Sequence, residues 1–211
     1  MKLFLASFFT KDIAKLFENF ANQELKGKTV TFIPTASKVE KMAFYVNSGR
    51  KALEKLGLIV DELDVSTATQ TEIAEKLQKN DFIYVTGGNT FFLLQELKKS
   101  GADKQIVEQI KAGKIYIGES AGSVIMSPNI EYVKFLDDTK KAPELENFDA
   151  LNVVKFYTLP HHTNFPFKKA VEKAIAEYGN VLDLRPISNA QAVLVDDEKV
   201  DRVISVQKNK L

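Results

Sequence analysis

The sequence predicts an α/β fold with a mostly parallel sheet covered by helices on both faces. Three observations carry that reading. Short apolar runs of strand length alternate with longer segments whose apolar residues recur at helical spacing. Each strand-like run is followed by a helix-like one, the spacing of crossover units that lay successive strands parallel. Two runs near the C-terminus, 191–196 and 200–206 around Asp197-Glu198, read instead as an antiparallel hairpin at the sheet edge. The chain has 211 residues, the length of one domain with a full core, and residues 1–211 are read as a single unit.

Residues 3–6 form the first strand, and Ile13, Leu16, Phe17 and Phe20 follow at helical spacing. Residues 29–33 are a second strand, stopped by Pro34, and 42–56 a helix with Val46, Leu53 and Leu56 on its apolar face and Gly57 at its end. A third strand spans 58–63, a short helix 72–78, and a fourth strand 81–85 that ends in Thr86-Gly87-Gly88-Asn89-Thr90. Helices are expected over 91–98 and 104–112. An apolar run, 115–117, then leads into Gly118-Glu119-Ser120-Ala121-Gly122, with the helix-compatible 124–126 after it. Beyond it, 129–135 reads as a strand, 136–144 as a polar loop, 153–159 as a strand ending in Pro160-His161-His162-Thr163-Asn164, and 167–178 as a helix.

The hydrophobic fraction of 45% and charged fraction of 27% are those of a soluble globular protein. A formal net charge of +1 gives no broad attraction for nucleic acid or an anionic membrane. The chain lacks cysteine, which excludes disulfides, thiol catalysis and cysteine-based zinc sites and fits a reducing, cytoplasmic setting. The apolar N-terminus is too short for a signal peptide, and no run approaches the length of a membrane span.

Three loops fall at the carboxyl ends of strands expected to be parallel neighbours, which is where such sheets bind ligands. Gly118-Glu119-Ser120-Ala121-Gly122 has the layout of a nucleophile elbow, a sharp strand-to-helix turn with a serine at its apex. The flanking glycines keep Cβ atoms out of the crowded turn, and the Ala121 amide would point where an oxyanion forms. A serine hydroxyl is a weak nucleophile near neutral pH and needs a base. The chain has two histidines, His161 and His162, adjacent on an extended segment, so at most one can face Ser120. The Gly87-Gly88 loop lacks both the Walker and the dinucleotide patterns. It suits either the second half of an oxyanion hole or a plain tight turn.

Taken together, Val85-Thr-Gly-Gly-Asn-Thr-Phe-Phe-Leu-Leu, Tyr116-Ile-Gly-Glu-Ser-Ala-Gly-Ser and Leu159-Pro-His-His-Thr-Asn resemble the dipeptidase E family, serine peptidases related to cyanophycinase. The match in order and spacing runs from Leu3 to about Val195. The resemblance implies a class I glutamine amidotransferase-like, flavodoxin-like fold. It implies Ser120 as nucleophile, His161 as base, and an oxyanion hole from the Gly88 and Ala121 amides, with no metal or organic cofactor. Asn89 and Thr90 in the glycine loop, and His162 beside the base, are the candidates for substrate contact.

The third member of the triad departs from the family pattern. Asn189 stands where the family places a carboxylate. Asp137, Asp138 and Asp183 are the other candidates. The expected function is hydrolysis of short peptides through an acyl-enzyme; an esterase or amidase on the same scaffold and a non-catalytic ligand-binding homologue are the alternatives. Arg50, Arg185 and Arg202 are the arginines available to pair with an acidic substrate side chain, and none is placed by a motif. Lys168 and Lys169 read as either a further cation source or a solvated helix start.

Overall fold

The computed structural model describes residues 1–41, 43–197 and 199–205. Met42, Glu198 and Val206, which the sequence places in the second helix and the closing hairpin, lie outside the described residues. In chain order the elements are β1 (Lys2–Ala6), α1 (Lys11–Ala21), β2 (Thr29–Ile33), α2 (Phe44–Lys55), β3 (Ile59–Glu62), α3 (Gln70–Lys79), β4 (Phe82–Val85), α4 (Thr90–Ser100), α5 (Ala102–Lys111), β5 (Ile115–Glu119), α6 (Ala121–Val124), β6 (Tyr157–Leu159), α7 (Lys168–Tyr178), β7 (Leu184–Pro186), β8 (Gln191–Asp196) and β9 (Lys199–Ser205).

The main sheet has strand order β3-β2-β4-β5-β1-β8-β9. Its first five strands are mutually parallel, whereas β8 runs antiparallel to β1 and β9 antiparallel to β8. The central strands are short apolar runs because helices cover both of their faces. Alternation along β1 divides the core: Leu3 and Leu5 pack with Ile73, Leu77, Leu93, Leu97, Ile106 and Ile110 of α3, α4 and α5. Phe4 and Ala6 face Ile13, Phe17 and Leu53 of α1 and α2. On that second face Phe4 meets Phe9 and Phe17 edge-on, and Phe9 meets Tyr84 likewise, at centroid separations of 5.2 to 6.2 Å. A third apolar cluster, with Phe91, Leu94, Tyr132, Leu159 and Val171, fastens the stretch after α6 to α4 and α7.

Helix starts follow side-chain chemistry. Thr10, Thr69 and Asn89 each accept a hydrogen bond from an amide three residues on, those of Ile13, Glu72 and Phe92. Among the described residues no helix is long and apolar enough to cross a membrane.

Two expectations are corrected here. Residues 129–135 are not a strand. The Asn129 side chain accepts from the Glu131 amide at 2.8 Å and turns the backbone into a 3-10 segment, Glu131–Val133, leaving one isolated bridge to Asp149. Of residues 153–159, only Tyr157–Leu159 is a strand, and β6 pairs with β7 in a separate two-stranded parallel sheet. It cannot join the main sheet beside β5, because β4 and β1 occupy both edges of that strand. The glycine loop and the elbow therefore follow parallel neighbours, but the histidine loop arrives from the small sheet.

Candidate active site

Strand β5 is fully buried, and the chain leaves it through a tight turn. Ser120 has φ +48° and ψ −108°, a sparsely populated conformation that costs on the order of 1–3 kcal/mol. Its neighbours hold it there. The Ser120 amide donates to the Ala6 carbonyl at 3.0 Å, and the Ser123 hydroxyl lies 2.8 Å from the same oxygen and 2.9 Å from that of Gly118. Gly122 must lack a side chain, because a Cβ there would sit 2.2 Å from the Val85 carbonyl oxygen. Helix α6 is a single turn, so the expected helical run 124–126 is mostly turn.

The glycine loop after β4 presses on this elbow. A Cβ on Gly87 would lie 3.1 Å from the Ser120 Cβ. Gly88 has φ +137°, and a Cβ there would overlap the Ala36 carbonyl oxygen at 2.2 Å. Gly88 and Ser120 both line the same cleft, and the Ala121 amide opens α6 directly behind the serine.

From the opposite side comes His161, itself at φ +64°. Its Nε2 is 2.9 Å from the Ser120 Oγ, and its Nδ1 is 2.8 Å from the Asn189 Oδ1. The Asn189 backbone amide donates to the Asn164 Oδ1 at 2.9 Å, which fixes the loop before β8 to the histidine loop. Phe167 stacks on the imidazole, with centroids 4.5 Å apart. Burial holds the His161 pKa below the ordinary histidine value, opposed by the hydrogen bond to Asn189. With Nδ1–H donating to Asn189, Nε2 presents a lone pair to the serine hydroxyl.

The structure thus brings Ser120, His161 and Asn189 together, and it places the carboxylate candidates elsewhere. Asp137 accepts both the Thr90 amide (2.9 Å) and the Thr90 hydroxyl (2.5 Å) on Oδ2, so its carboxylate caps α4 rather than holding the imidazole. Burial, with Glu40 adding like charge, pushes its pKa up to about 6 against the pull of those two bonds. Asp138 accepts from the Lys140 amide, and Asp183 pairs with Arg185 at 2.8 Å.

Asn89 and Thr90 line the cleft, but their polar groups are engaged. The Asn89 side chain caps α4 and donates to the Asp138 carbonyl at 3.0 Å, and both Thr90 donors go to Asp137. They tether the 137–138 loop while remaining in the cleft lining. His162 is placed otherwise than expected: its amide bonds to the Ile187 carbonyl, and the residue does not line the cleft.

Two site residues were not foreseen. Ser7, fully buried at the end of β1, accepts from the His161 amide at 2.8 Å and donates to the Asn189 Oδ1 at 2.9 Å. The available signal was a polar residue directly after the apolar run Leu3 to Ala6, in the row of carboxyl ends that builds the site. Glu119, beside the nucleophile candidate, accepts from the Phe9 amide at 2.9 Å and the Tyr84 hydroxyl at 2.8 Å. Burial pushes its pKa up to about 7, although the Phe9, Tyr84 and Gly87 donors favour the anion.

The cleft above these groups has a volume of ≈ 470 Å³. Phe8, Phe44 and Tyr45 wall one part, and Phe165, Pro166 and Phe167 another. Its charged lining consists of Glu40, Glu119, Asp137 and Asp138 against Lys141. Arg50 pairs with Glu62 and lies over Phe32. The Arg202 side chain lies outside the described residues. Lys168 and Lys169 are exposed at the start of α7, and Lys168 sits 3.9 Å from Glu172.

Comparison with known proteins gives the chain's family and supports its fold. The model of peptidase family S51 matches residues 3–203. An uncharacterized peptidase of Listeria innocua is 63% identical over 198 residues, covering 94% of each chain. Peptidase E of Salmonella arizonae is 32% identical over 146 residues, covering 68% of this chain and 59% of that enzyme. A crystal structure of a Listeria monocytogenes protein, provisionally assigned as a peptidase E, superposes with a TM-score of 0.92 at 56% identity over 98% of both chains. A peptidase from an acI-B1 actinobacterium shares the fold, with a TM-score of 0.71 at 21% identity over 97% of this chain and 87% of that one. With its α/β sheet, its elbow and a family match over nearly its whole length, the chain belongs to peptidase family S51.

Proposed function

We propose that the chain is a serine peptidase that hydrolyses short peptides through an acyl-enzyme on Ser120. The observation that carries this reading is the relay of 2.9 Å from the Ser120 Oγ to the His161 Nε2 and 2.8 Å from Nδ1 to the Asn189 Oδ1, at the floor of a cleft. Imidazole kept neutral by burial takes the serine proton as Oγ attacks the scissile carbonyl carbon. The oxyanion then faces the Gly88 and Ala121 amides. His161 passes the proton to the leaving amine as the C–N bond breaks. Water, deprotonated by the same ring, releases the acid product and restores Ser120.

Asn189 accepts the Nδ1 proton and so orients the ring. Having no charge, it stabilises imidazolium less than a carboxylate would. A cleft of ≈ 470 Å³ is of small-molecule size, which favours short peptides over an extended chain. The test is a library of dipeptides and tripeptides, with matched esters, run on the parent and on Ser120→Ala. Serine-dependent release of amino acids supports the reading. Ester cleavage with no peptide cleavage, or peptide cleavage that survives Ser120→Ala, refutes it.

A further inference from the structure

We propose that Ser7 is a positioning residue that sets which way the Asn189 amide faces, and thereby which nitrogen of His161 carries the proton. The inference rests on the reading of Ser120 and His161 as nucleophile and base. It starts from a difference between the two possible partners of an imidazole. A carboxylate has two equivalent oxygens and accepts from Nδ1–H in either orientation. An asparagine amide is asymmetric: its oxygen accepts, and its NH₂ only donates. If the NH₂ faced Nδ1, that nitrogen would have to be the acceptor and the proton would move to Nε2. The Ser120 hydroxyl could then no longer give its proton to the ring. A triad built on asparagine therefore needs something to fix the amide.

Ser7 is placed to do so. A hydroxyl has one hydrogen and two lone pairs. The His161 backbone amide donates to the Ser7 Oγ at 2.8 Å, which uses one lone pair. The Ser7 hydrogen is then directed at Asn189, 2.9 Å away, where it requires an acceptor. Oδ1 in that position receives both the Ser7 hydroxyl and, at 2.8 Å, the His161 Nδ1–H. With the amide reversed, the Asn189 NH₂ and the Ser7 hydroxyl, whose Oγ is 3.3 Å from Nδ1, would compete for the one lone pair of that nitrogen, leaving a donor unmet beside a fully buried residue, which folded proteins avoid.

The Ser7 backbone is itself fixed. It directly follows β1, which lies between β5, the strand of the elbow, and β8, the strand that Asn189 precedes. The neighbouring Ala6 carbonyl takes the Ser120 amide, and the Ser7 amide reaches the Gln191 carbonyl at 3.4 Å. One short strand end thus references nucleophile, base and amide to each other.

The experiment is a cycle of Ser7→Ala, Asn189→Asp and the double variant, with kcat and KM on a cleaved dipeptide. A second readout is ¹⁵N NMR of the ring nitrogens in histidine-labelled protein, whose two histidines are separated by a His162→Ala reference. In the parent, His161 should be protonated on Nδ1. Ser7→Ala should lower kcat about tenfold or more with KM little changed, and should shift the ring toward Nε2–H. In the Asn189→Asp background the same change should cost less than about threefold, since a carboxylate needs no orienting; the coupling is read as the non-additivity of the cycle. Equal losses in both backgrounds, no loss in either, or an unchanged tautomer would overturn the proposal. If Ser7→Ala does not fold, the parent spectrum decides, because a ring protonated on Nε2 refutes the arrangement outright. Should Ser120→Ala remain active, the peptidase reading fails, yet the tautomer measurement still tests Ser7.

Discussion

Replacing Asn189 by aspartate would put a charge against the ring that must hold a proton in the transition state. The Asn189 Oδ1 is 2.8 Å from the His161 Nδ1, so the centres of a carboxylate and an imidazolium would lie about 4 Å apart. At an effective dielectric constant of about 20 the attraction is ~4 kcal/mol. Part of it is lost in burying the new carboxylate, and an opposite charge at this range typically moves a pKa by about 1–3 units. The sign follows from which form works. Attack needs the neutral ring, so kcat/KM rises with pH through the His161 pKa and levels above it. In the parent that pKa is held below the ordinary histidine value, which puts the plateau at neutral pH. In Asn189→Asp the acid limb should move up by about 1–3 pH units, with a plateau about tenfold higher for each 1.4 kcal/mol of attraction realised in the transition state. The assay is the initial rate on a cleaved dipeptide across the pH range, with folding checked at each end. An acid limb that stays put or moves down would show that Asn189 is not the partner of the ring.

Other outcomes follow from the same geometry. Ser120→Ala should lower kcat by about 10⁴-fold or more without unfolding the chain, and His161→Ala by a comparable factor. His162→Ala should change kcat only a few-fold, because His162 lies outside the cleft; the reverse order for the two histidines would sink the assignment. Dipeptides with an N-terminal acidic residue should be cleaved less well than neutral ones, because Glu40, Asp137 and Asp138 outnumber Lys141 in the lining, and Asp137→Asn should narrow that gap. A preference for acidic residues would contradict this. Asp137 also predicts a stability difference. Its folded pKa, about 6, lies above the unfolded value, so the folded state binds the extra proton between about pH 4 and 6. The parent should therefore lose thermal stability relative to Asp137→Asn as pH rises through that window. A constant difference in Tm would refute the raised pKa.

How far the sequence alone reaches is clear from particular segments. The limits of β8 were legible because an apolar run, Ala192 to Val195, is bounded by the polar Gln191 and Asp196, and the elbow because small residues sit between a buried strand and a helix start. The segment 129–135 was not. Its Ile130, Tyr132 and Val133 suit a strand as well as a turn, and one Asn129 side-chain bond decides between them. Strand pairing is equally non-local: β6 has strand composition, but its place in the small sheet depends on β7, whose Pro186 pairs with Leu159 from 27 positions further along the chain. Ser7 carried only its position after an apolar strand as a signal, since its partners lie 154 and 182 positions away. Asp137 was misplaced because family spacing locates the loop, whereas its direction depends on the two donors of Thr90.

The most direct test of Ser120 as nucleophile is covalent capture. A fluorophosphonate incubated with the parent should phosphonylate one serine, and peptide mapping by mass spectrometry should place the adduct on Ser120. The labelling rate should rise with the acid limb of the His161 ring, and the adduct should vanish in Ser120→Ala. Labelling at another residue, or a folded parent that hydrolyses peptides and never forms the adduct, would contradict the account.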